Sequence, residues 1–277
     1  MLIKDTYRMD IVKKHNEVIT SDQRSAISSR YKRITKAINR EFWNSESETA
    51  HSFYVGSYGR GTAVNTSDID ILIELPYIEF SRFDNYTYNG QSKLLQVVKD
   101  AIITTYPRSI VKADGQIVKI DFSDGITFEI LPSFKERNIW GEETGKYIYA
   151  DSNHGGKWRS TNPKVEQEAM KRKNIETNGL LFDTCKHIRQ IRDTKFSSYQ
   201  LSGIVIDSYV FNHIDNWQWC PEGVTSTKPK GTFEKKLRDE ISYSDTSLYA
   251  PGSYDIVDSK NSIECLQKVL NHMAKDF

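Results

Sequence analysis

The stretch VGSYGRGTAVNTSDIDILI, residues 55–73, has a glycine-serine pair at one end and two aspartates one residue apart at the other. Successive residues of a strand point to opposite faces, so Asp68 and Asp70 project together while Ile69 and Ile71 enter a core. Two carboxylates on one side repel each other unless a cation lies between them. Oxygen donors of this kind suit Mg²⁺, which keeps some water and shares its shell with substrate phosphates. At the other end, a turn that leads toward a helix offers backbone N–H groups and the positive end of the helix dipole. Gly56 and Ser57 make that turn, Gly59 and Gly61 let backbone approach closely, and Thr62 and Ser67 add hydroxyls. One end of the stretch reads as a triphosphate holder and the other as the holder of its metal.

Outward from this stretch, the pattern is that of an α/β lobe. Thr20 with Gln23 predicts a capping box, and Ile27, Tyr31, Ile34, Ile38 and Phe42 follow at helical spacing. Phe53 to Val55 predicts a short strand, and Asp68 to Leu75 a second one ended by Pro76. Leu94, Leu95, Val97, Val98, Ala101 and Ile102 trace a helix that stops before Pro107. In QIVKIDFSDGITFEILPSF, residues 116–134, a loop of Ser123, Asp124 and Gly125 pairs Phe122 with Ile126, Ile120 with Phe128 and Val118 with Ile130. One face is then wholly apolar. The other carries Asp121 opposite Thr127 and Lys119 opposite Glu129, and a slip of one residue would bury Lys119 and Glu129. Beyond about residue 160 helical patterns take over, at Val165–Lys173, Leu180–Arg192, Ser202–Ile214 and Ile263–Met273. Residues 221–232 and 244–259 read as surface loops.

Composition narrows the function. The 277 residues are 38% hydrophobic and 27% charged, and 38 Lys and Arg nearly balance 37 Asp and Glu. No basic excess points to a nucleic-acid coat or an anionic membrane. No apolar run approaches a bilayer span, and MLIKDTYRMD lacks the apolar region of a secretion signal, so a cytoplasmic protein is expected. Cys185, Cys220 and Cys265 have no metal-ligand spacing, nor do the six histidines.

The combination G-S-x-x-x-G-T, then S-D-x-D, then an apolar strand and a later carboxylate on a facing strand resembles the DNA polymerase β-like nucleotidyltransferase superfamily. It is most similar to the branch of oligoadenylate synthetase, cyclic GMP-AMP synthase and the bacterial cyclic-oligonucleotide synthases of antiphage defence, the CD-NTases. The resemblance implies an α+β fold of two lobes. Residues 1–160 would form a catalytic core with a mixed sheet and the long N-terminal helix, residues 161–277 a mainly helical nucleotide-binding lobe, with the active site in the cleft between them. It implies that Asp68, Asp70 and a third acid hold two Mg²⁺ ions, with Mn²⁺ as a substitute. Glu129 matches the third position, where aspartate is usual, with Asp121 as the alternative and a plain cross-strand ion pair with Lys119 as the competing role. In the helical lobe Lys186, Ser198 and Tyr199 match the family's triphosphate and base contacts, with Arg189 as an alternative to Lys186. Trp158 stands where the family has a tryptophan, and packing explains it.

The implied reaction joins NTPs, releases pyrophosphate and closes a cyclic di- or oligonucleotide messenger for antiphage (CBASS) signalling, with effector or regulatory proteins as partners. No membrane and no clear nucleic-acid partner is indicated, and no histidine-cysteine zinc insert like that of animal cyclic GMP-AMP synthase is visible. A linear, tailing or adenylylating transferase and a non-catalytic nucleotide-binding module are the competing readings.

Overall fold

The computed structural model describes residues 11–16, 18–65, 68–241 and 247–275. The chain divides into two compact units. One takes Ile19–Gly59 and Ser67–Pro163; the other takes Lys164–Phe277 with two earlier segments, one ending at Val18 and one spanning Arg60–Thr66.

The first unit is built on a mixed sheet. Helix α1 (Ser21–Trp43) opens with the capping box: Gln23 N–H donates to Thr20 Oγ1 at 3.2 Å and Thr20 N–H to Gln23 Oε1 at 2.9 Å. Strand β1 (Ser52–Tyr54), a single helical turn α2 (Gly56–Gly59) and β2 (Ile69–Glu74) follow, then α3 (Tyr77–Asp84) and α4 (Gly90–Thr105). Strands β3 (Ile110–Asp114), β4 (Ile117–Asp121), β5 (Thr127–Arg137), β6 (Glu143–Asp151) and β7 (Lys157–Thr161) complete the sheet. The order is β1-β2-β5-β4-β3, and β6 pairs with the far half of β5 and with β7. Only β2 and β5 run parallel among these pairs.

The β4–β5 register is the one the alternation predicts: Val118 faces Ile130, Lys119 faces Glu129, Ile120 faces Phe128 and Asp121 faces Thr127. Gly125 closes the loop at φ +84, donating its N–H to Phe122 O at 3.0 Å. The inward residues Ile69, Ile71, Ile73, Val118, Ile120, Phe128 and Ile130 form the main core with Ile34, Ile38, Leu94 and Val98 of α1 and α4. The opposite face has only a small cluster around Val55, Leu72 and Tyr147. Its remaining positions are free to be polar, and they hold the acids. Trp158 packs as expected, tilted on Phe80 and edge-on to Phe134, with its indole N–H on Asp84 Oδ1 at 2.8 Å.

The second unit is mainly helical: α5 (Pro163–Glu176), α6 (Leu180–Lys195), α7 (Gly203–His213), α8 (Thr232–Ile241) and α9 (Ile263–Met273), with a short pair β8 (Leu248–Tyr249) and β9 (Ile256–Val257). Its core gathers Leu181, Ile188, Val205, Ile206, Tyr209, Leu237, Leu266 and Leu270. Helix α7 begins at Gly203 behind Ser202. The helix predicted from Ser202 is therefore present, and residues 196–201 are a connection. No helix among the described residues is long and apolar enough to cross a membrane.

Candidate active site

The glycine-serine turn and the second aspartate touch. Val55 N–H donates to Asp70 O at 2.8 Å, which carries the β1–β2 ladder one residue past β1. Gly56 then turns the chain at φ +57, and a Cβ there would lie 1.9 Å from Asp70 Oδ2. Only glycine fits, both for the left-handed backbone and for the carboxylate pressed against it. Ser57, in the single turn α2, is half-buried beside it.

On the next strand Glu129 is the register partner of Asp70 in the parallel β2–β5 pair. Strand alternation puts Asp68, Asp70 and Glu129 on the same polar face. Lys119 reaches across that face, its Nζ 3.4 Å from Glu129 Oε1 and 4.0 Å from Asp68 Oδ2. The ion pair with Lys119 is therefore present, but it does not use up the acids, since the Asp68 side chain stays 49% exposed and that of Glu129 25%. Burial, and then the charge of Asp68, pushes the Glu129 carboxyl above its ordinary range, against the pull of Lys119. The Lys119 ammonium is raised: burial works against it, but Asp68 and Glu129 outweigh burial. Asp121, the substitute candidate, accepts the Thr127 hydroxyl at 2.9 Å.

These groups suit a hard divalent cation in donor type and in charge, being carboxylate oxygens with one ammonium among them. Among the described residues, however, no three acidic, histidine or cysteine side chains converge tightly enough to hold an ion. Lys119 is the positive charge that sits between Asp68 and Glu129.

Other predicted site residues are placed differently. Thr62 does not offer its hydroxyl to phosphate. It is fully buried in the helical unit, and Oγ1 donates to Asp207 Oδ2 at 3.0 Å. The close approach at Gly61 is to a side chain, since a Cβ there would lie 2.5 Å from the Phe182 ring. Ser67 lies outside the described residues. In the helical unit, Lys186 is half-buried, with Nζ 3.4 Å from His15 O, and burial lowers its pKa against the opposing charge of Asp183. Arg189, the alternative to Lys186, is buried and bonded to Asp207 at 2.6 Å, so it has no free face for a nucleotide. Ser198 is exposed in the connection after α6, and the Tyr199 ring is partly exposed under the Lys268 ammonium, 4.1 Å from its centroid.

Sequence reasoning passed over Arg60, which lies inside the motif itself, and Asp207, an acid in the apolar helix GIVIDSYVFNH. A charged residue among six or more apolar neighbours is the signal that would have found the second. Trp217 and Trp219 line a cavity of about 330 Å³ with Lys228 and Lys230 in the helical unit, and none of the predicted site residues lines it.

Residues 11–174 match the family model of the Second Messenger Oligonucleotide or Dinucleotide Synthetase domain. No curated protein matches the chain in sequence. The fold is similar to that of an Elizabethkingia meningoseptica CdnE cyclic dinucleotide synthase solved with GTP and Apcpp, at 17% identity and a TM-score of 0.61 over 91% of each chain. It is similar to a Vibrio cholerae dinucleotide cyclase, DncV, carrying two aspartate-to-alanine changes two positions apart, at 12% identity and a TM-score of 0.64 over 92% of this chain and 84% of that one. It is also similar to E. coli CdnC in a complex with HORMA-deltaN, at 13% identity and a TM-score of 0.55 over 93% and 83%. With the family model matched over more than half its length, the chain belongs to the Second Messenger Oligonucleotide or Dinucleotide Synthetase family and is a nucleotidyltransferase of the bacterial CD-NTase type.

Proposed function

We propose that the protein joins NTPs into a cyclic di- or oligonucleotide messenger, using Asp68, Asp70 and Glu129 to hold two Mg²⁺ ions. The observation that carries this reading is the seating of Gly56 on the Asp70 carboxylate, which makes the phosphate-holding turn and the acidic strand one piece. The in-register pairing of Asp70 with Glu129 supports the third acid. What the ions supply when bound is stabilisation of negative charge on the attacking and departing oxygens of an in-line displacement.

The chain's own residues do the rest. Backbone N–H groups of the Gly56–Ser57 turn hold the triphosphate, and Glu129 orients the incoming hydroxyl and takes its proton. That oxygen bonds to the α-phosphorus as the bond to the β-phosphate bridge breaks, and pyrophosphate leaves. A second such step on the linked nucleotide closes the ring. Catalysis is positioning and electrostatics. Lys186, Ser198 and Tyr199 would contact triphosphate and base from the helical unit. The aspartate-to-alanine pair in the DncV structure has the spacing of Asp68 and Asp70, which supports their assignment. The HORMA-bound CdnC supports a regulatory protein partner, and we place the activity in antiphage (CBASS) signalling in the cytoplasm.

The test is incubation with all four labelled NTPs and Mg²⁺ or Mn²⁺, then phosphatase and mass spectrometry. A phosphatase-resistant product that disappears with Asp68→Ala/Asp70→Ala and with Glu129→Ala is expected. A linear or protein-attached product would overturn the cyclising reading.

A further inference from the structure

An arginine between the glycines of a phosphate-holding motif would ordinarily be assigned to the phosphate. Arg60 is not available for it. Its side chain is 9% exposed, its Nε donates to Asp207 Oδ2 at 2.8 Å, and its Nη1 to Glu166 Oε2 at 3.3 Å. Asp207 has no exposed side-chain surface and is shared. It also accepts the Thr62 hydroxyl at 3.0 Å, Arg189 Nη1 at 2.6 Å and Arg189 Nη2 at 3.0 Å. Arg189 Nη2 further donates to Gly203 O at 2.9 Å, and a Cβ at Gly203 would come within 2.8 Å of that nitrogen. The cluster holds two guanidinium groups and two carboxylates, so its formal charge balances inside the unit.

The backbone explains why so costly a device is used. The chain leaves the sheet unit at Gly59, passes Arg60–Thr66 within the helical unit, and returns at Ser67 just before Asp68. Residues 60–65 form no helix or strand. Fixing such a loop costs backbone entropy at every residue, which no ladder offsets here. The two ties at Arg60 and Thr62, converging on one carboxylate, offset it. Only a guanidinium can place an Nε and an Nη on two different acceptors in one plane; an ammonium cannot.

We propose that Arg60 is a positioning residue for the nucleotidyl transfer: anchored on Asp207 and Glu166, it fixes residues 56–65 so that the turn before it and the aspartates after it are presented in one geometry, and it binds no phosphate. The functional part of this inference rests on the proposed reaction, but the anchoring does not. The test compares wild type, Arg60→Lys and Arg60→Met by amide hydrogen exchange and by NTP turnover; Arg60→Lys keeps the charge should Arg60→Met fold poorly.

Expected are amide exchange over residues 56–64 faster by about tenfold or more in Arg60→Met, with α6 and α7 little changed, and a KM for NTP raised about 10- to 100-fold beyond any change in kcat. Arg60→Lys is expected to lie close to Arg60→Met, because charge without the fork does not restore the two bonds. Two results would overturn the proposal: unchanged exchange over 56–64 with a KM rescued by lysine, which is the signature of a phosphate ligand, or exchange that quickens in α6 and α7 while the loop stays protected, which is that of a helix brace. Should wild type make no nucleotide product, the proposed reaction fails and exchange over 56–64 alone decides the anchoring.

Discussion

The two acidic clusters of this protein use the same chemistry to opposite ends. On the sheet, Asp68 and Glu129 share the Lys119 ammonium, and Asp68 is half in solvent. In the helical unit, Asp207 is wholly buried and meets two guanidinium groups and a hydroxyl. Burial by itself would raise the Asp207 carboxyl, but Arg189 and Arg60 outweigh it and hold it below its ordinary value. The Glu129 carboxyl is instead raised: burial pushes it up first and the charge of Asp68 second, and Lys119 does not outweigh them. A satisfied carboxylate is a structural fixture, whereas one left short of positive charge is open to a ligand. The local balance of charge, not the residue type, separates the two roles.

This contrast predicts opposite phenotypes. Asp68→Ala/Asp70→Ala is expected to lower product formation by about a thousandfold or more while leaving the melting temperature nearly unchanged, because it removes two like charges from one face of the sheet. A loss of fold in that variant would end the distinction. Asp207→Ala is expected to do the reverse in kind, costing about 3–5 kcal/mol of stability by stranding two buried cations, as read by denaturant unfolding. Between them stands Gly56→Ala, which puts a methyl group into the Asp70 carboxylate at a positive φ. We expect about 1–3 kcal/mol of strain and a drop in turnover out of proportion to the stability lost. Turnover equal to wild type would show that the turn and Asp70 act separately.

Smaller effects sharpen the comparison. Lys119→Met removes the sole ammonium bonded to Glu129 among the described residues. Melting should fall by about 1 kcal/mol or less without divalent ion and recover when Mg²⁺ is added, more so than in wild type. Equal Mg²⁺ responses would argue against a cation site at these acids. The smallest effect concerns His15, whose Nε2 lies 3.2 Å from His187 Nδ1. Burial lowers its pKa from 6.5, with Asp183 opposing and Lys13 and Lys186 assisting. A depressed histidine contributes stability that is present above its unfolded value and lost as pH falls through the folded one. Stability should therefore fall as pH drops below about 6.5, the ordinary histidine value, and His15→Gln should flatten that slope.

Much of the sheet unit was legible because its signals are local. A period of two fixed the β4–β5 register, since one slip would bury Lys119 and Glu129, and the capping box at Thr20 announced α1. Strand β3 was missed because its inner face is only Val111 and Ala113, partly buried against the core, which is too short an alternation to mark a strand. Helix α8 was readable from Phe233, Leu237 and Ile241 at four-residue spacing, but it follows a stretch dominated by loop residues. In the candidate site, the sequence by itself determined that Asp68 and Asp70 face one way and that Glu129 lies on the polar face of the β4–β5 hairpin, because each follows from strand alternation within a few residues, whereas the parallel β2–β5 pairing that sets Glu129 beside Asp70 is tertiary. Which hydroxyls and cations remain available was decided only by tertiary structure. Thr62, Arg60 and Arg189 carry the right groups for phosphate, yet Asp207, 145 positions beyond Thr62, takes all three. A buried carboxylate recruits every donor within reach, and no local pattern in the sequence encodes which donors the fold will bring to it.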